Sequence, residues 1–256
     1  MKVLVFGNSH AACLMEAWRE GEVAAGHEVA FFVRSGSGVT DYALDGTRIA
    51  ASEAMASFLD RLGLAVEQDL ADFDALAVVA SEVSMFPLVQ VLNTYRVLDW
   101  PQGSRAERPA LTEAVLRIAL SEALMGTSAA RLMAHLRAVP GLADRPIHLL
   151  PQPYPSERLM QMGRVPAGAG FRRLLREGLG AQAAAVYGEE LARFAAKFGV
   201  VLHPQPVGTI TQDCLTAQAY STKARRLFDL NRYQPQEDIL HANLAYGRLA
   251  LAQVLG

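Results

Sequence analysis

The chain has 256 residues, 51% of them hydrophobic and 20% charged, enough to bury one sizeable α/β domain and unlike a disordered or low-complexity sequence. Its 24 basic and 26 acidic residues leave a formal net charge of -2, which gives no electrostatic footprint for nucleic acid or an anionic membrane as the main partner. Two cysteines, Cys13 and Cys214, are too few for a disulfide framework and lack zinc-site spacing, so a reducing compartment is the simplest expectation.

The first element is an apolar run, KVLVF at 2–6, which predicts a buried strand. Asn8, Ser9 and His10 interrupt it too early for a signal-peptide core or a membrane span, and a cytoplasmic location is expected. Helical spacing follows over about 10–25. EVAFFV at 28–33 predicts a second strand, the glycine-containing 34–48 a loop, and 49–64 a helix. DALAVVA at 74–80 is the third strand-like run; 99–109 reads as a loop or lid and 110–138 as a helix. PIHLL at 146–150 and VVLH at 200–203 complete five strands, separated by a polar, Pro- and Gly-rich stretch at 151–170 and a helix at 180–198. On that helix Ala184, Tyr187, Leu191, Phe194 and Ala195 share one face, and Glu189, Glu190, Arg193 and Lys197 fall mostly on the other. A long loop or lid at 204–238 precedes a last helix over about 241–255. Alternating strands and helices without internal repeats predict one α/β domain over 1–256: a three-layer α/β/α, doubly wound, five-stranded parallel sheet. In such sheets function gathers at the carboxyl ends of the strands.

Ser9 stands at that edge, between the first strand and the first helix, where free backbone N–H groups and the helix dipole can stabilise an oxyanion. Alone, a serine at this place reads as a helix cap. As a nucleophile it needs a base held by a third group. Asp238 and His241, three residues apart at the start of the terminal helix, supply such a pair. One imidazole nitrogen is within reach of the carboxylate, leaving the other for Ser9.

Gly7-Asn8-Ser9-His10 resembles the first block of the SGNH (GDSL-type) hydrolases, a strand followed by Gly-Asp-Ser. Asp238-Ile239-Leu240-His241, followed by Asn243 and Gly247, resembles their last block, Asp-x-x-His before the final helix. The order of elements matches along nearly the whole chain. The resemblance implies a flavodoxin-like sheet, a Ser9–His241–Asp238 triad and an oxyanion hole built from the serine N–H, a glycine after the second strand and an asparagine after the third. Gly36, ahead of Gly38, fills the glycine role. The third strand is followed by A80-S-E-V-S-M-F86 with no Gly-x-Asn, leaving Ser81, Ser84 or the more distant Asn93 as substitutes. A second departure is Asn8 in place of the family's Asp.

Other groups carry quieter readings. His10 caps, lines or donates near the site; His27, His135, His148 and His203 are read as structural, and Cys13 as a small apolar residue one turn into the first helix. The R34-S-G-S-G38 loop lacks both nucleotide-binding glycine patterns. No His/Asp/Glu group has metal-ligand spacing, and no metal or cofactor is expected. The basic runs at 171–176 and 223–226 read as solvated faces; Tyr42, Trp100, Tyr154 and Tyr220 read as packing or as a sugar-stacking wall. The expected function is a serine esterase cleaving an O-acyl, for example O-acetyl, ester of a small molecule or carbohydrate. The alternatives are an O-acyltransferase using the same triad, or a glycan- or partner-binding protein on the hydrolase fold.

Overall fold

The five apolar runs form strands β1 (Lys2–Gly7), β2 (Glu28–Val33), β3 (Ala75–Val79), β4 (Ile147–Leu150) and β5 (Val201–Leu202). The computed structural model describes residues 1–21, 26–101, 107–163 and 166–256. The strands lie all parallel in the order β5-β4-β3-β1-β2. Alternate side chains enter opposite cores: Leu4, Phe6, Leu76 and Val78 on one face, Val3, Val5, Ala77 and Val79 on the other. A sheet buried on both faces needs no polar alternation, which is why these strands read as continuous apolar runs.

The helices are α1 (Ala12–Arg19), α2 (Glu53–Arg61), α3 (Phe86–Thr94), α4 (Glu113–Met125), α5 (Ser128–Ala138), α6 (Ala169–Arg176), α7 (Gly180–Phe198) and α8 (Leu244–Leu255). Helices α1 and α8 place Leu14, Met15, Leu251 and Val254 in the core behind Val3 and Val5. On the other face, α3, α4, α5 and α7 contribute Leu88, Leu120, Leu132 and Leu191. Helices on both faces of a parallel sheet are compatible with a three-layer α/β/α fold.

Several elements differ from the sequence expectation. The helix over 49–64 starts only at Glu53, where the Ser52 hydroxyl accepts from Met55 N at 3.4 Å. Arg48–Ala51 is instead the middle strand of an antiparallel sheet with Tyr42–Asp45 and Glu67–Asp69. The helix over 110–138 breaks at Gly126-Thr127, where the Thr127 hydroxyl caps α5 by accepting from Ala130 N at 3.2 Å. Helix α3 follows the third strand where no helix was read, and α6 begins inside the stretch read as loop 151–170. The 204–238 stretch carries two small antiparallel pairs, Ile210–Thr211 with Leu215–Thr216 and Arg225–Arg226 with Asp229–Tyr233. The end of the helix read over 10–25 (residues 22–25), part of the 99–109 loop (102–106) and positions 164–165 lie outside the described residues.

On α7 the apolar face is as read, but Glu190 is buried rather than solvated. Arg117 reaches across from α4 to pair with it at 3.0 Å, and Arg193 pairs with the same oxygen. A buried carboxylate held by two guanidiniums satisfies the requirement that buried charge be paired. No helix among the described residues is long and apolar enough to cross a membrane.

Candidate active site

Strand β1 ends at Gly7, where a Cβ would sit only 3.1 Å from the Cβ atoms of Ala11 and Val79. The chain turns there at close quarters. Asn8 is extended, and its side-chain oxygen accepts from His10 N at 3.1 Å, capping the single 3-10 turn Ser9–Ala11 that leads into α1. The cap is therefore Asn8, not Ser9. The Ser9 hydroxyl is left for another partner, and its Oγ lies 2.9 Å from His241 Nε2.

His241 Nδ1 lies 2.9 Å from Asp238 Oδ1, and its backbone N–H donates to Asp238 Oδ2 at 3.1 Å. An ionised carboxylate accepts, so it selects the tautomer with hydrogen on Nδ1 and a lone pair on Nε2 facing Ser9. The pair sits in the turn before α8, which begins at Leu244 and is capped by Asn243 through Ala245 N and Tyr246 N. That turn is tied down from several sides. Ser156 N donates to Ile239 O at 2.7 Å, and Arg158 donates to Gln236 O at 2.7 Å. The Asn243 amide donates to Ala219 O and Thr222 O, both at 2.8 Å.

Burial works to raise the Asp238 carboxyl, but the hydrogen bond and charge of His241, with the backbone N–H groups of His241 and Leu240, outweigh it and hold the carboxyl below its usual range. Asp238 therefore stays ionised. His10 stacks on His241 with ring centroids 4.7 Å apart and 19° between planes. Burial, reinforced by the nearby His241 and opposed by Asp238, pushes the His10 imidazole down to about 3. A neutral ring over His241 supports its plane without repelling the imidazolium that would form. The signal for this contact was the adjacency of His10 to Ser9.

The unfolded chain titrates His10 at about 6.5 and the folded chain at about 3, so between those values unfolding takes up a proton. Stability is then fully present above 6.5 and falls as the pH falls through that window. Urea unfolding of His10→Gln between pH 7 and pH 4 is expected to show a shallower decline than wild type. Equal slopes would contradict the assignment.

After the second strand, Gly36 and Gly38 both have positive φ, +85° and +95°. A Cβ on Gly38 would meet Ser81 Oγ at 2.8 Å and Asn8 Cβ at 3.6 Å, whereas one on Gly36 meets nothing within 4 Å. The glycine pressed against the Ser9 turn is thus Gly38, while Gly36, the glycine preferred from sequence, stands in open space. Gly38→Ala is expected to destabilise by roughly 2–4 kcal/mol, combining left-handed strain with overpacking, and Gly36→Ala by about 1–2 kcal/mol from strain alone. Urea melts of the two variants separate these cases.

After β3, Ala80, Ser81 and Glu82 are all left-handed, with φ of 54°, 43° and 74°. None is a glycine or asparagine, so the sequence carried no mark of this turn. Gly7 pairs with Val79, and two residues beyond the end of each strand lie Ser9 and Ser81. The turn is fixed by Ala80 N donating to Leu150 O at 2.7 Å and by the carbonyl of Ser81 accepting from Ala129 N and the Ser128 hydroxyl. The Ser81 hydroxyl donates back to Val79 O at 3.1 Å. Its side chain is therefore engaged with its own strand rather than free as the donor read from sequence. Strain of this kind, about 1–3 kcal/mol per residue, gathers at functional sites. Asn93 is elsewhere, at the α3–α6 contact beneath Gly170.

The remaining histidines stand apart from the triad. His135, on α5, bonds Tyr42 Oη through Nδ1 at 2.7 Å, and His148 Nδ1 lies 2.7 Å from His203 Nε2. Trp100 is buried, its indole N–H donating to Glu113 at 2.8 Å, so it belongs to no exposed stacking wall, and half-buried Tyr154 packs on Tyr187. Cys13 and Cys214 are buried free thiols. Among the described residues no group of three or more His, Cys, Asp or Glu could hold a metal ion.

No protein-family model and no curated protein matches the chain. One crystal structure in the comparison aligns with 99% of this chain and 96% of its own, at 13% identity and a TM-score of 0.40. A likeness at that level carries no functional argument.

Proposed function

We propose that the protein is a serine esterase of the SGNH type that cleaves an O-acyl ester. The observation that carries the reading is the continuous relay Asp238–His241–Ser9, with both hydrogen bonds at 2.9 Å, at the carboxyl edge of a parallel sheet. This is the edge, beside the point where strand order reverses between β1 and β3, at which open α/β sheets bind ligands. Ser9 Oγ attacks the acyl carbonyl while His241 Nε2 takes its proton, and Asp238 stabilises the imidazolium. The Ser9 N–H and the loop of Gly36 and Gly38 face the developing oxyanion. His241 gives the proton to the departing alkoxide, leaving acyl-Ser9; a water, deprotonated by His241, then releases the acid and restores the hydroxyl.

The test is turnover of short-chain aryl esters by wild type and Ser9→Ala, with the free acid quantified. Serine-dependent release of acid supports the reading. Turnover that persists in Ser9→Ala, or none in either protein, overturns it.

A further inference from the structure

A cleft of about 540 Å³ opens between the 39–46 segment and α5. That volume falls in the range of small-molecule sites, roughly 300–1,000 Å³. Its apolar surface comes from Val39, Leu44, Leu132 and Val139. The polar groups stand together: Tyr42 Oη bonds His135 Nδ1 at 2.7 Å, and Arg131 lies one helical turn before His135. Arg131 donates to Gly126 O at 2.8 Å, which anchors its guanidinium. Arg131, Tyr42 and His135 all line the same cleft.

The lining holds an arginine and a histidine but no aspartate or glutamate. Among the described residues Arg131 makes no ion pair. An apolar cleft with an unbalanced cation at its mouth is complementary to an apolar body bearing one anion. A guanidinium fork in the same lining as a phenol and an imidazole suits the planar geometry of a carboxylate.

Ser9, Asp238 and His241 do not line the cleft, but Ser128 links it to the turns beside Ser9. Ser128, a lining residue at the start of α5, donates its hydroxyl to the carbonyls of Ser37 and Ser81. Those residues belong to the two turns that flank Ser9, and Val39 directly follows the Gly38 packed against Asn8. One end of the cleft is thus tied to the Ser37–Gly38 and Ala80–Glu82 segments beside the Ser9 turn.

We propose that this cleft binds an apolar carboxylate, and that the group enters as one half of the ester cleaved at Ser9. The second clause rests on the serine-esterase reading; the first stands without it. Two experiments separate them. Titration calorimetry on Ser9→Ala, with 4-phenylbutyrate and its neutral amide as probes, reads binding alone. The acid is expected to bind at least 10-fold tighter than the amide, Arg131→Gln to erase the difference, and Ala138→Trp, at an exposed lining position, to block both. Equal binding of acid and amide, or a preference untouched by Arg131→Gln, overturns the cleft assignment.

In kinetics, aryl acetate is compared with an aryl hemiester of a dicarboxylic acid. Arg131→Gln is expected to lower the ratio of kcat/KM for hemiester to that for acetate by at least 10-fold. Ser9-dependent turnover with an unchanged ratio removes the cleft from the substrate path and leaves the esterase reading intact. Carboxylate binding without any Ser9-dependent turnover does the reverse.

Discussion

Replacing His241 with glutamine is expected to lower kcat/KM for an aryl acetate between about 10³- and 10⁶-fold, and Ser9→Ala to do the same. The reason lies in the shared proton. Ser9 Oγ is 2.9 Å from His241 Nε2 and has no use as a nucleophile unless that nitrogen removes its hydrogen. Residues that act as one unit are not additive, so the Ser9→Ala/His241→Gln double variant is expected to be no slower than either single one. Asp238→Asn is expected to cost on the order of 10⁴-fold, because an amide no longer enforces the tautomer with hydrogen on Nδ1. Steady-state kinetics of the four variants decide the matter, and losses that multiply in the double variant would mean independent roles.

The second large effect concerns the helix contact that brings the two halves of the site together. On α8, a Cβ at Gly247 would lie 2.0 Å from the Cys13 carbonyl oxygen and 2.4 Å from its carbon. The obstacle is main chain, not a side chain that can swing away. Helix α1 begins three residues after Ser9 and α8 three residues after His241, so this backbone contact bears on the distance between Ser9 and His241. Gly247→Ala is expected to destabilise by about 3 kcal/mol or somewhat more, lowering Tm by roughly 6–12 °C in a chain of this size. A displacement of about 1 Å between Ser9 and His241 also costs on the order of 100-fold in rate. Gly188→Ala, on α7 with nothing within 4 Å of the added Cβ, is the control and is expected to leave or slightly raise Tm. Similar melts for the two variants would show that the α1–α8 contact tolerates a methyl.

The parts legible in the sequence were those whose cause is local or repeated. Strands β1 to β4 announced themselves because burial on both faces makes all but Lys2, Glu28 and His148 apolar or glycine. Asp238 and His241 could be paired from sequence because three residues of spacing bring side chain to side chain within one turn. What escaped depended on contacts between distant segments. Arg117 comes from α4 to neutralise Glu190, so periodicity alone placed Glu190 in solvent. The Ala80–Ser81–Glu82 turn is held by Leu150 and by Ser128 and Ala129, and it uses residues with no preference for positive φ. That Gly38 rather than Gly36 is the glycine packed against Ser81 depends on where the Ser81 hydroxyl lies, which no local pattern shows. Ser9 alone read as a cap, and that it leaves the cap to Asn8, which holds the His10 N–H, was not legible in the sequence.

The most direct test is fluorophosphonate labelling followed by peptide mass spectrometry. A single adduct on Ser9, formed at least 100-fold more slowly in His241→Gln, is the expected result. An adduct on another residue, or no adduct at any pH where the protein is folded, would contradict a nucleophilic Ser9.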